Sequence, residues 1–211
     1  MNYCFRKFVT LGNININISK NNDHHLNDKN GAGTDKPQNI EVNEVIIHPE
    51  YKSRRKLNDI AILRLEKEVS YSESIRPICI SSRGRFELSS IPSRFCIVGG
   101  GQTGTNRVSD VLKYAEVSEL PIEKCKKIIP RFNVAVKLDE TYVCTAGANQ
   151  GNHCNGDSGG PLQYKSKLSH RFVQHGVVSF GVAACEKPEL PGVYTRVDQF
   201  ASWIHQVVYG G

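Results

Sequence analysis

Between residues 40 and 197 the chain carries seven short apolar-rich segments, 40–48, 60–65, 95–99, 112–117, 142–146, 173–180 and 192–197, each cut off by turn residues. Segments this short suit strands, and few stretches between them have helical spacing. An all-β barrel or sandwich is therefore expected. Residues 9–18 add a half-buried strand pattern, with Ile14, Ile16 and Ile18 facing one way and Asn13, Asn15 and Asn17 the other. The end of the chain differs. Asp198 can cap a helix, and Phe200, Trp203, Ile204, Val207 and Val208 recur at helical spacing.

Two segments read as connections. Residues 20–38 are rich in Asn, Asp, Lys, His and Gly without periodicity, which predicts a long solvated loop. The pair His24-His25 lies in that loop and reads as exposed rather than metal-binding. Residues 81–94 have little apolar pattern and form the best linker between two halves. The expected organisation is one domain over 1–211, with a partial N-terminal barrel (1–85), a C-terminal barrel (95–197) and a terminal helix (198–208).

The 211 residues suffice for a sizeable core, and 39% of them are hydrophobic. No apolar run approaches the roughly 18–20 residues of a membrane-spanning helix. Residues 1–9 are too short and too polar for a signal peptide, so a secreted form would carry its signal upstream. The formal charge of +6 comes from scattered Lys and Arg, apart from Arg54-Arg55-Lys56 and Lys124-Cys125-Lys126-Lys127. No stacking aromatics sit among these basic residues, so a nucleic-acid partner is not expected, nor is a membrane. Seven cysteines without a CxxC pair read as disulfides rather than a zinc site. The odd count leaves at least one cysteine without a partner in the chain. Asn17-Ile18-Ser19 is an N-glycosylation sequon, a triplet common by chance.

The strongest chemical signal is Cys154-Asn155-Gly156-Asp157-Ser158-Gly159-Gly160-Pro161-Leu162. A serine nucleophile needs an exposed hydroxyl on a sharp turn, with backbone N–H groups nearby to hold an oxyanion. A Gly-rich turn in a β protein accounts for Gly-Asp-Ser-Gly alone; it does not account for the full Gly-Asp-Ser-Gly-Gly-Pro.

With this motif the sequence resembles the trypsin-like (chymotrypsin-fold) serine peptidases, and the resemblance runs in order through most of the chain. Asn58-Asp59-Ile60-Ala61-Ile62-Leu63-Arg64-Leu65 is similar to the segment bearing the family's triad aspartate, and Ile75-Arg76-Pro77-Ile78-Cys79 follows it. Leu120-Pro121-Ile122-Glu123-Lys124-Cys125 and Tyr142-Val143-Cys144-Thr145-Ala146-Gly147 match later segments. Val177-Val178-Ser179-Phe180-Gly181 and Pro191-Gly192-Val193-Tyr194-Thr195-Arg196-Val197 resemble the walls of the specificity pocket. His48-Pro49 and Phe180 look most like the arthropod clip-domain proteases. The fold implied is a two-barrel chymotrypsin-like one with an incomplete first barrel and a C-terminal helix.

The resemblance also implies roles. Ser158 would be the nucleophile, the N–H groups of Gly156 and Ser158 the oxyanion hole, and Asp59 the residue orienting a histidine. Asn152, His153, Phe180, Gly181 and Gly192 would line the specificity pocket. Cys125–Cys144 and Cys154–Cys185 would be disulfides, leaving Cys4, Cys79 and Cys96. In clip-domain proteases a cysteine placed like Cys79 pairs with the prodomain side. No cofactor and no metal are implied. Partners would be protein substrates or cascade proteins and serpin-type inhibitors, in an extracellular setting.

The chain departs from the family in several places. No Ala-Ala-His-Cys segment precedes Asp59, and the nearest analogue, Met1-Asn2-Tyr3-Cys4, puts Tyr3 in the histidine's place. A phenol with a pKa near 10 is a poor base at neutral pH. The chain therefore reads as truncated at its beginning and inactive as written. In the family a freed N-terminal Ile or Val pairs with the aspartate at the position of Asp157; no such terminus precedes Asp59. Ile97-Val98-Gly99-Gly100 imitates one, but cutting there would detach Asp59, and Gly100 stands where the family has a tryptophan. A barrel that cannot close exposes strand edges, so the first half is expected to be the less ordered. Asn152 holds the position of the aspartate that binds Arg or Lys, and an amide offers no full charge to a cation. Gly181 and Gly192 are expected to leave the pocket walls open, with a large apolar or polar P1 residue as an option. Two functions follow: a secreted endopeptidase missing its beginning, or a non-catalytic homologue that binds partners in a cascade.

Overall fold

The strands organise into two sheets of unequal closure. In a computed structural model, residues 8–12, 37–80, 91–102, 108–132, 136–147, 152–181 and 190–210 are described. Strands β1 (Phe8–Leu11), β2 (Gln38–Ile47) and β3 (Ala61–Leu65) make a three-stranded antiparallel sheet in that order. Its register sets Val9 against Ile40 and Ile46 against Ile62. Gly12 ends β1 at φ +75, with the Ile75 side chain close behind its Cα. A residue with a Cβ would be strained there and would press on the Ile75 side chain.

The second sheet holds β4 (Cys79–Ile80), β5 (Arg94–Gly99), β6 (Lys113–Glu119), β7 (Tyr142–Gly147), β8 (Pro161–Lys165), β9 (Phe172–Gly181) and β10 (Gly192–Arg196). Its order is β10-β7-β6-β5-β8-β9-β4, and β9 also pairs with β10. That last pairing closes β5 to β10 into a six-stranded barrel. Register shifts at Leu162/Gln163 and at Val193/Tyr194 supply the local bends a closed barrel requires. β4 runs parallel to the start of β9. Helix α1 (Ile122–Ile128) follows β6, and α2 (Ala201–Tyr209) ends the chain after a 3-10 turn over Val197–Phe200. This is the chymotrypsin fold.

Alternation along the barrel strands sends Phe95, Ile97, Val117, Val143, Leu162, Tyr164, Val173, Val178 and Tyr194 into one core. A second core of Cys125, Ile129, Leu138, Tyr142, Cys144 and Val193 lies beneath α1, with Leu57 and Phe180 packed on it. The Cys125–Cys144 disulfide ties α1 to β7. In the first sheet, by contrast, Ile47 and Leu63 are about half exposed (51% and 48%), so an apolar face stands open among the described residues. The two parts meet through His48, whose ring lies 5.3 Å from Phe200 and 4.9 Å from Trp203.

Several expectations are modified. Strand β1 stops at Leu11; residues 13–18 of the expected strand, the 20–36 loop with His24 and His25, and 81–90 lie outside the described residues. Asp198 does not cap α2. Its carboxylate accepts a hydrogen bond from Arg196 Nε at 3.0 Å within the preceding 3-10 turn, and the helix starts three residues later. The strands β4 and β8 and the helix α1 were not anticipated from periodicity. Pro161 opens β8, with Leu162 and Tyr164 alternating inward, directly after the Gly-Gly of the serine motif.

Candidate active site

Ser158 is exposed and opens the second of two successive turns, Asn155-Gly156 and Ser158-Gly159, just before β8. Gly156 (φ +98) and Gly159 (φ +83) take left-handed conformations that let the chain double back twice within five residues. The turn is pinned to β9: Gly159 N–H donates to the Val178 carbonyl, and Val178 N–H donates to the Gly160 carbonyl, both at 2.9 Å. Among the described residues none accepts from the N–H groups of Gly156 or Ser158.

Asp59 follows Asn58, which holds a left-handed φ of +51. The Asp59 carboxylate accepts a 2.6 Å hydrogen bond from Ser179 Oγ, and its carbonyl accepts one from Thr195 Oγ1 at 2.8 Å. Ser179 is the next residue after Val178. Consecutive positions of β9 thus hold Asp59 and the Ser158 turn, which lie 99 residues apart in the sequence. Nearby, Tyr142 OH donates to the Lys56 carbonyl at 2.9 Å. Burial, with the charges of Asp139 and Asp59, pushes that phenol up to about 12, so it stays a donor. No described histidine bonds to Asp59. His48 packs on α2, His175 stacks on Phe95, and His205 lies beside Tyr209. Tyr3 and Cys4 lie outside the described residues.

Asp157 turns away from Ser158 toward the glycine run after β5. One carboxylate oxygen accepts from Gly101 N–H and the other from Cys154 N–H, each at 2.8 Å. A Cβ at Gly99 would stand 2.8 Å from the Asp157 Cγ, and one at Gly101 2.7 Å. Glycine at 99 and 101 is therefore what lets the carboxylate lie against this backbone. Position 100, where the resemblance expects a tryptophan, belongs to the same run.

The residues expected at the specificity pocket do come together. Gly181 and Gly192 face each other across β9 and β10. The space beside them is not open as anticipated. A Cβ on Gly181 would meet His153 Cε1 at 2.9 Å, and one on Gly192 would meet Asn152 Oδ1 at 2.5 Å and His153 Cδ2 at 2.8 Å. The Asn152 amide is fully used: Oδ1 accepts from Tyr194 OH (2.7 Å) and His153 N–H (2.9 Å), and Nδ2 donates to the Thr145 carbonyl (3.0 Å). His153 stands edge-on to Tyr194, with centroids 5.1 Å apart. Burial lowers its pKa below the ordinary 6.5, against the raising effects of Asp157 and a hydrogen bond with the Phe180 backbone. Phe180 itself packs edge-on against Tyr142.

Sequence reasoning missed Ser179, Thr145 and Tyr194 as supports. Their positions become meaningful only once the barrel register sets them opposite Asp59 and Asn152. Cys154 is disulfide-bonded, while Cys185 lies outside the described residues; Cys79 and Cys96 are free. Burial raises the Cys96 thiol, which makes it a poor nucleophile. Among the described residues no group of three or more His, Cys, Asp or Glu is placed to hold a metal, and no helix is long and apolar enough to cross a membrane.

A closed six-stranded barrel, an aspartate just before β3 bonded to β9, and a serine on a glycine turn pinned to the same strand define a chymotrypsin-fold serine peptidase domain. The trypsin family profile matches residues 7–204, and the chain belongs to that family. It is 35% identical over 171 residues to the CLIP domain-containing serine protease B15 of Anopheles gambiae, covering 80% of this chain and 46% of that protein. It is 32% identical over 179 residues to the Inactive CLIP domain-containing serine protease A8 of the same species, covering 82% and 47%. The chain thus spans about half the length of the curated relatives it matches. Among solved structures, mouse neuropsin, a serine protease, superposes with a TM-score of 0.72 at 25% identity, covering 95% of this chain and 78% of that one.

Proposed function

We propose that the chain is the peptidase domain of a secreted serine endopeptidase acting in a proteolytic cascade, and that residues 1–211 alone do not hydrolyse peptide bonds. The observation that carries this is the attachment of Asp59 and the Ser158 turn to Ser179 and Val178 of one strand. In the complete site Ser158 Oγ attacks the scissile carbonyl carbon and passes its proton to an imidazole held by Asp59. The N–H groups of Gly156 and Ser158 take the oxyanion, and the amine departs with the proton. Water then repeats the sequence on the acyl-enzyme. No described histidine fills the imidazole's place, and its loss in a serine protease costs on the order of a million-fold in turnover. The Asp157 carboxylate, bound to two backbone N–H groups, matches a domain awaiting an ammonium partner.

A second reading is a non-catalytic homologue that binds cascade proteins. It is favoured by the side chains packed into the pocket and by the similarity to a relative named as inactive. A fluorophosphonate probe separates the two. The chain as given is compared with a form extended upstream through the first in-frame signal peptide and cleaved for activation. Labelling of the extended form alone, abolished by Ser158→Ala, supports the peptidase. Absence of labelling in both folded forms defeats it and leaves the binding protein.

A further inference from the structure

The far end of β9 borders a groove that the hydrolytic site does not use. Phe172 opens the strand six residues before Val178, which holds the Ser158 turn. At about 3.3 Å per residue the two positions lie about 20 Å apart. The groove encloses about 740 Å³ and is lined by the 71–78 segment and the β8–β9 hairpin. Tyr71, Pro77, Ile78 and Phe172 supply its apolar surface, Arg76 and Arg171 its charge. Tyr71 is 69% exposed and Phe172 49%, so two rings and two guanidiniums open onto one space. Exposed apolar surface gathered in this way marks an interaction site. The hairpin is basic throughout. No Asp or Glu occurs between Asp157 and Glu186, while Lys165, Lys167, His170 and Arg171 fall close together. Its backbone is also fixed. Buried Ser166 donates its N–H to the Arg171 carbonyl at 2.9 Å, its carbonyl accepts from His170 N–H at 3.0 Å, and its Oγ accepts from the Leu168 and Ser169 N–H groups. Across the groove Arg76 Nε donates to the Ser72 carbonyl at 3.4 Å. Among the described residues neither Arg76 nor Arg171 forms an ion pair. Glu73, the one carboxylate on the 71–80 segment, does not line the groove.

We propose that this groove docks an acidic peptide segment of a partner protein, one that carries aromatic side chains between its carboxylates. Guanidiniums take carboxylates in bidentate pairs, and Arg with Tyr and Phe is the composition enriched where proteins meet. The unpaired charge selects an acidic ligand, and the apolar surface selects one with side chains to bury. A sulfated polysaccharide matches the charge but covers none of Tyr71, Pro77, Ile78 and Phe172. A second copy of this chain carries a formal charge of +6, which opposes its approach to a basic surface. Because the hairpin backbone is already ordered, binding freezes little more than side chains. The site holds a partner about 20 Å from Ser158 and does so whether or not that serine is active.

The test is fluorescence anisotropy of a fluorescein-labelled Glu-Asp-Tyr-Glu-Phe-Asp-Glu peptide titrated with the chain at physiological salt. Three further probes are titrated: the peptide with Tyr and Phe replaced by Ser, the peptide with Glu and Asp replaced by Gln and Asn, and a heparin oligosaccharide. Arg76→Gln with Arg171→Gln is compared with Lys124→Gln with Lys127→Gln, which removes the same charge from exposed positions of α1. The parent peptide should bind at least about ten-fold tighter than either altered peptide. The arginine double variant should weaken it at least about ten-fold, and the lysine double variant less than about two-fold. No binding of the parent peptide, equal binding of the Ser-substituted one, or equal losses in the two double variants overturns the proposal. Tighter binding of the oligosaccharide, lost in the arginine variant, overturns it in favour of a polysaccharide site. Self-association abolished by the arginine variant gives the groove to a second copy, and loss of peptide binding in the form extended upstream gives it to this protein's own upstream segment; either result overturns the proposal. The wild-type series over the probes decides by itself should the arginine variant misfold. Binding is read without turnover, so none of these outcomes bears on the peptidase reading of Ser158.

Discussion

Acidification should destabilise this domain through His175. The residue lies on β9 with its side chain inside the barrel, only 4% exposed. Its ring stacks flat on Phe95, centroids 5.0 Å apart and planes 4° apart, and Tyr164 meets it edge-on. Nδ1 is buried without a hydrogen-bond partner. Burial, reinforced by the nearby Arg196 charge and opposed by Asp198, lowers its pKa from the ordinary 6.5 to about 4. The folded chain therefore keeps this ring neutral while the unfolded chain protonates it below about pH 6.5. Unfolding takes up a proton in that window, so stability is full above pH 6.5 and falls as pH drops toward 4, where the folded form also protonates. A difference of about 2.5 pKa units at about 1.4 kcal/mol per unit gives a loss of about 3 kcal/mol. That is a large share of a typical domain stability of about 5–15 kcal/mol. The assay is urea unfolding at pH 7.5, 6.5, 5.5 and 4.5 for the wild type and His175→Leu. The variant loses some stability at every pH, so the readout is the slope. The wild type should lose stability more steeply, by up to about 1.4 kcal/mol per pH unit, because the variant lacks this titration. His153 acts with the same sign and remains in both proteins. Equal slopes would refute the reasoning.

Other substitutions test other contacts. Gly101→Ala places a Cβ against the Asp157 carboxylate and should cost about 1–3 kcal/mol in thermal or urea unfolding. Asn152→Asp removes the donor to the Thr145 carbonyl and leaves a carboxylate facing it; a loss of about 1–3 kcal/mol is expected at pH 7, smaller at acidic pH where the carboxyl regains a proton. Tyr142→Phe deletes the bond to the Lys56 carbonyl and should cost about 1 kcal/mol, read as a shift of the urea midpoint without a change in slope. Replacing Cys125 and Cys144 by Ala opens a loop of sequence separation 19 and should cost about 3 kcal/mol.

The sequence was most informative where the chemistry and the pattern are local. Short apolar runs cut by turn residues located β2, β3, β5, β6, β7, β9 and β10 to within a few residues, and the glycines around Ser158 marked a turn that the structure pins to β9. What escaped depended on register. Nothing in Val177-Val178-Ser179 distinguishes Ser179 from any polar strand residue until β9 is set beside Asp59. The glycines at 181 and 192 read as empty space because a sequence shows what a residue lacks and not what moves into the gap; His153 and Asn152 fill it from a different segment. α1 was hidden because seven residues, three of them lysine, carry too little periodicity. Asp198 had the right type for a cap, yet Arg196 two residues earlier offered its carboxylate a charged donor first.

The two hydrogen bonds that fix Asp59 span 120 and 136 residues of chain. During synthesis, then, the aspartate segment emerges long before the strands that orient it. Contacts this distant must wait for loop closure and slow the search for the native state. They also set an order of events: no partly made chain can display the serine and the aspartate in working alignment. The alignment of Asp59 with the Ser158 turn can form only after β9 and β10 have been made.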